Sequence, residues 1–204
     1  MMFVLRRLLL LVLIGVAVYV FWPRASSMTR FEPEAMAEIQ MTIWKATASK
    51  QPQGPVLPLY HLYQDQYHVP PISSLKMAFD MAHAIRLFRT SPDAADQEKA
   101  LLPLQTVFAT LKANTQAGFD ANAAARMELM NWMLRVDHAK RAQLTASWSD
   151  FLGLLYGQSA EACLPAAKKF SIASKLAEEG KWADAQASSL EGWKVIKSLV
   201  PPEK

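Results

Sequence analysis

The residues with the most chemical promise in this 204-residue chain are two histidines and an aspartate in the segment YHLYQDQYHV. His61, Asp65 and His68 fall at i, i+4 and i+7, so one helix face would present two imidazoles and a carboxylate, ligand types that suit zinc. The set lacks a fourth ligand, and the same spacing also describes a solvated polar face. Tyr60, Tyr63 and Tyr67 form an adjacent stripe on the same helix. A tyrosine buries its ring while keeping its hydroxyl wet, which suits the rim of a core first and a partner interface second. This segment is the first place to look for a binding surface.

The other chemistry-bearing residues read as structural. Met127, Met130 and Met133 could offer thioethers to Cu(I), but steps of three spread them over about 120° of a helix, normal for a core face. Cys163 has no histidine near it in sequence, and as the sole cysteine it rules out an intrachain disulfide. Glu178 and Glu179 are adjacent, so on a helix they point in different directions and make no catalytic pair. No C-x-x-C-H haem motif is present, and no glycine-rich phosphate loop. The sequence therefore predicts no catalytic residue and no cofactor.

Charge narrows the partners. The net charge is +4, yet from Phe31 onward 13 Lys and 5 Arg stand against 8 Asp and 10 Glu. The excess comes from Arg6, Arg7, Arg24 and Arg30, which flank an apolar run, whereas a nucleic-acid footprint needs a basic face on the domain itself. Nucleic acid is not an expected partner. Membrane lipid is. Leu8 to Trp22 reads LLLLVLIGVAVYVFW, about 22 Å of helix, and adding Met1 to Leu5 brings it to about 33 Å, against a hydrocarbon core of about 30 Å. Arg6 and Arg7 can snorkel, Tyr19, Phe21 and Trp22 suit an interfacial belt, and Pro23 ends the helix. The small-x-small sites for signal cleavage are poor. The expectation is a single-pass anchor in the inner (plasma) membrane, with the N-terminus cytoplasmic and the domain outside the cytoplasm.

Beyond residue 30 the composition is that of an all-α domain, with 29 Ala against 12 Val plus Ile. The predicted organisation is an anchor over 1–23, a linker over 24–32, a helical domain over 33–200 and a tail over 201–204. About eight helices are expected, packed as antiparallel hairpins: 31–50, 57–68, 75–89, a fourth started by Ser91-Pro92-Asp93 and reaching about Lys112, a fifth that follows Asp120, then 138–156, 160–179 and 183–199. Pro33 suits a first helical turn, and Asp120 caps the fifth helix. Gly157 and Gly180 stop the sixth and seventh. Pro103 should kink or split the fourth. Core faces are assigned to Met36, Ile39 and Ile43, to Leu75, Phe79, Ala82 and Ile85, to Ala123, Met127, Met130 and Leu134, to Leu144, Trp148, Phe151 and Leu155, and to Leu190, Trp193, Ile196 and Val200.

The last hairpin, over about residues 164–199, resembles a tetratricopeptide unit. In KLAEEGKWADAQ a helix ends at Gly180, an aromatic, Trp182, follows two residues later, and Ala185 starts the next helix. DQEKALLPLQ at 96–105 weakly echoes the same start, but Ala100 and Ala185 are 85 residues apart, not a multiple of 34. The resemblance implies binding of a peptide or partner protein rather than catalysis. The expected function is thus a membrane-anchored helical module for protein–protein interaction at the cell envelope. The alternatives are a metal- or small-ligand-binding domain on the His61/Asp65/His68 face, or an enzyme with a site assembled from distant residues.

Overall fold

Helix ends are set where the local chemistry demands them. In the computed structural model, which describes residues 6–7, 9–12, 26–49, 54–91, 93–137 and 140–200, the first helix of the domain, α1, spans Pro33–Ala48 with Pro33 in its first turn. A missing N–H costs nothing there. Helix α2 runs over Val56–His61 and continues as a π-helical turn, Leu62–Gln66. Helix α3 spans Pro71–Thr90, and after a short helical piece at Ala94–Gln97 comes α4, Leu101–Thr115. Helix α5 is Ala121–Val136 and α6 is Leu144–Tyr156. The last hairpin is α7, Ala160–Glu178, and α8, Trp182–Leu199. Among the described residues there is no strand. The fold is all-α.

Several boundaries fall where sequence chemistry puts them. Asp120 Oδ1 accepts from the backbone N–H of Asn122 at 2.8 Å and of Ala123 at 3.0 Å, capping α5. Gly157 at φ 64° and Gly180 at φ 75° turn the chain after α6 and α7 in the left-handed region that glycine enters without penalty. The helix expected over about 93–112 is split rather than kinked near Pro103. Pro103 lies in the first turn of α4, because the break in the helical run comes just before, at the 3-10 turn Glu98–Ala100.

The N-terminal anchor expected over residues 1–23 lies largely outside the described residues. Among the described residues no helix is long and apolar enough to cross a membrane. Residues 26–32, within the segment read as a linker, are packed into the domain. Met28 and Phe31 are buried, the Ser27 N–H donates to Tyr67 O at 3.0 Å, and Lys197 Nζ donates to Thr29 O at 2.9 Å and Phe31 O at 2.8 Å.

Each helix packs against the next one in sequence, and α8 returns to pack on α1. The eight helices therefore close into a ring. The closing contact between α8 and α1 is specified by Gln40, whose Oε1 accepts from Ser189 Oγ at 2.6 Å and Trp193 Nε1 at 2.8 Å. The tightest joint is α7 on α8. There a Cβ added to Gly192 would stand 2.7 Å from the Phe170 ring, so only glycine permits this approach. Buried Ala173, Ala177, Ala185 and Ser189 keep the rest of this joint close.

Candidate functional site

A ring of helices leaves space at its axis, and here the space is a cavity of about 840 Å³. That is within the usual range for small-molecule sites, about 300–1,000 Å³. The six helices from α1 to α6 supply most of its wall. Met36, Ile39 and Ile43 come from α1, Leu59 and Tyr63 from α2, and Met81, Ile85 and Phe88 from α3. Val107, Phe108 and Leu111 follow from α4, and Trp148, Phe151 and Leu152 from α6.

Its two ends differ. The only exposed lining residues are Ala48, Arg89, Val136 and Glu178, which sit at the C-terminal ends of α1, α3, α5 and α7, and these mark the mouth. The opposite end is closed by Met28, Tyr67 and Tyr156. The Tyr67 and Tyr156 hydroxyls lie 3.4 Å apart, and Phe31 backs them, 6.0 Å from the Tyr156 ring and 5.4 Å from that of Trp193. From this floor an unbroken series of ring contacts runs through Phe170 and Trp148 to Phe151, Phe108 and Phe119. Such tilted and edge-on contacts hold the wall rigid.

Away from the exposed Arg89 and Glu178 at the mouth, the polar groups of the lumen are few. Glu128 of α5 lines the wall. Its Oε1 accepts from Trp132 Nε1 at 2.8 Å, while its Oε2 is buried with no hydrogen-bond partner. Burial pushes the Glu128 carboxyl up from 4.5 to about 7, against the opposing pull of the Trp132 hydrogen bond and the Arg135 charge. Nearby, Asn131 is fully buried; its side chain adds a weaker downward pull on the Glu128 carboxyl but makes no hydrogen bond of good geometry, and one Asp80 oxygen is likewise buried without such a bond. Trp148 Nε1 is a buried donor on the wall that finds no acceptor. Toward the mouth, the Arg135 guanidinium stacks 4.4 Å from the Trp44 ring centroid, with Glu178 its first electrostatic partner. Arg141 donates to Glu178 Oε2 and to the Arg135 carbonyl.

The residues singled out in the sequence are divided by this geometry. Tyr63 and Tyr67 are buried in the lumen rather than at a wet rim. Desolvation raises the Tyr63 hydroxyl strongly and pushes that of Tyr67 up to about 12, so both are neutral. Tyr60 stays half-buried on the outside. His61 Nδ1 meets Asp65 Oδ2 at 2.8 Å on the surface. His68 does not join them, because the helix ends before it. Its φ is 54°, its carbonyl accepts from Ser26 Oγ at 2.9 Å, and the next residue, Val69, precedes Pro70, which disfavours helical geometry there. Among the described residues no group of three or more His, Cys, Asp or Glu side chains could hold a metal ion. Cys163 is buried, and burial raises its thiol. Met130 is exposed rather than in the core, with Met127 and Met133 half-buried.

Glu128 is the residue that sequence reading passes over. Its signal was the setting. In RMELMNWML a lone carboxylate and an asparagine stand among methionines and leucines, with tryptophan four residues on, where a helix brings the two side chains together.

A second feature lies on the outer wall. Leu57 (65% exposed), Ile72 (59%), Leu75 (46%) and Phe79 (54%) form, with Val56 and Tyr60, a shallow apolar depression between α2 and α3. Leu75 and Phe79 are the residues that periodicity had assigned to the core of α3. Comparison with known proteins returns nothing: no family model, curated protein or solved structure matches the chain.

Proposed function

We propose that this protein is a binding module that holds an apolar small molecule inside its helical ring, tethered to a membrane by the apolar run Leu8–Trp22. The cavity carries the reading. A ring could close on a filled core, yet this one keeps about 840 Å³ lined by aromatic and aliphatic side chains, with a defined mouth and floor. An apolar ligand there gains about 25 cal/mol for every Å² of its surface removed from water. No arrangement of nucleophile, base and oxyanion donors accompanies it, so binding rather than catalysis fits the lining. The tether rests on the length and flanks of the N-terminal run.

Four of the six tryptophans, Trp44, Trp132, Trp148 and Trp193, line the lumen, so occupancy is readable in their emission. Titration of the full chain with 1-octanol is expected to change tryptophan fluorescence saturably. Narrowing the lumen with Leu152→Trp should weaken the response. A linear response, identical in the variant, would discard the reading.

A second reading, a protein-interaction module at the cell envelope, is favoured by the exposed Leu57, Ile72, Leu75 and Phe79 on the outer wall. Isolated exposed apolar residues are ordinary, but a contiguous group marks a contact face. Leu75→Asp with Phe79→Glu is expected to remove a stoichiometric partner recovered from solubilised membranes while leaving octanol binding unchanged. Recovery of the same partner with the double variant sinks this reading.

A further inference from the structure

We infer that the lumen is selective for a hydrophobic amine, whose ammonium group sits against Glu128 while its apolar body fills the space toward the mouth. The inference rests on the lumen being a ligand site and names the head group that site takes.

The geometry supports an ammonium on three counts. Glu128 lies seven residues before Arg135 on α5, roughly 10 Å deeper in the ring at 1.5 Å per residue. It is a carboxylate on the cavity wall with a buried, unpartnered Oε2, and an ionised carboxylate is an acceptor only. A donor carrying positive charge satisfies that oxygen and offsets the cost of keeping the charge out of water.

The surroundings are aromatic. Trp132 donates to the other Glu128 oxygen and packs edge-on against Phe88, with 5.5 Å between ring centroids, and the buried Tyr63 also lines the lumen. Ring faces attract a desolvated cation and repel an anion.

The third count is charge. The charged side chains on the cavity wall, Glu128 and Glu178 against Arg89 and Arg135, balance overall, but Glu178 and both arginines sit toward the mouth, so Glu128 is the charged lining residue set deep in the lumen. Arg141 is committed to Glu178 and to a backbone carbonyl. A cation beside Glu128 balances that charge where it is buried.

The competing head group is a carboxylate seated at the mouth on Arg89 and Arg135. Arg135 is already stacked on Trp44 and faces Glu178, which would repel it.

Octylamine, 1-octanol and octanoate share one chain length and differ only in the head, so they separate the possibilities. With the full chain at pH 8, octylamine is expected to bind at least about tenfold tighter than the other two, a difference of about 1.4 kcal/mol. Glu128→Gln is expected to remove that preference, bringing octylamine and 1-octanol to within about twofold of each other. Equal binding of octylamine and octanol by the natural protein overturns the inference but leaves the lumen as an apolar site. Tightest binding of octanoate overturns it in favour of the mouth arginines. Failure of all three to bind overturns both the inference and the reading beneath it. The three-ligand comparison uses the unmodified protein, so it stands even if the variant folds poorly.

Discussion

Glu128 costs the fold something, and the cost has a sign that can be measured. Its carboxyl titrates near 7 in the folded chain rather than at its ordinary 4.5. Between those values the folded state keeps a proton that the unfolded state has released, so stability falls as pH rises through this window and levels off above it. A displacement of that size corresponds to about 3 kcal/mol. The groups facing it, Tyr63, Tyr67, Asn131, Trp132 and Arg135, do not change charge between pH 5 and 8, the tyrosines being held higher still. Urea unfolding of the natural protein and Glu128→Gln at pH 5 and pH 8 should therefore show the variant gaining about 3 kcal/mol relative to the natural protein at the higher pH. A stability difference that is the same at both pH values would mean the carboxylate is not desolvated. Single residues whose role is local were legible in the sequence: Asp120 as a cap, and Gly157 and Gly180 as left-handed stops, each fixed by the backbone beside it. Glu128 was not, because its burial depends on which distant helices close over α5.

At the scale of elements, the sequence carried the number and type of helices well, since Ala-rich composition and turn residues act within a few positions. It carried less about which face turns inward. For α1 the stripe Met36, Ile39 and Ile43 does face the lumen. For α3 the larger apolar residues Leu75 and Phe79 point outward, and the buried side is made of Ser74, Met77, Ala78, Met81, Ala82, Ala84 and Phe88. Helical periodicity finds a stripe but assumes one stripe per helix. A helix packed between two neighbours and carrying a second apolar group on its outer side breaks that assumption. The α2 segment shows a different failure. The i, i+4, i+7 histidine face presumes an unbroken helix, and the carbonyls of Tyr67 and His68 instead accept bonds from the Ser27 N–H and Ser26 Oγ. Those partners lie some forty positions away and are invisible to any local window. The lumen was hidden for the same reason, because it is shaped by which helices meet.

Closure of the ring is a property of the whole molecule, and it separates this architecture from the open stack that its last hairpin resembles. In an open stack each repeat touches only its neighbours and the terminal helices act as caps. Here α8 packs on α1 through Gln40, Ser189 and Trp193, and Lys197 holds the backbone at Thr29 and Phe31. The two ends of the domain therefore meet at the floor, an arrangement under which circular permutation is tolerated. Joining Val200 to Ser26 with ten Gly/Ser residues, a reach of roughly 17 Å, and opening the chain at Gly118 makes a direct test. Gly118 is exposed in the turn between α4 and α5, with nothing within 4 Å of an added Cβ. The permuted domain is expected to be helical by circular dichroism, to melt in one transition, and to keep the fluorescence response to 1-octanol. The helices beside the new ends are already held by their neighbours on the other side of the ring. Two separate transitions, or a helical chain that no longer binds octanol, would show that the first and last helices do not close the ring in solution.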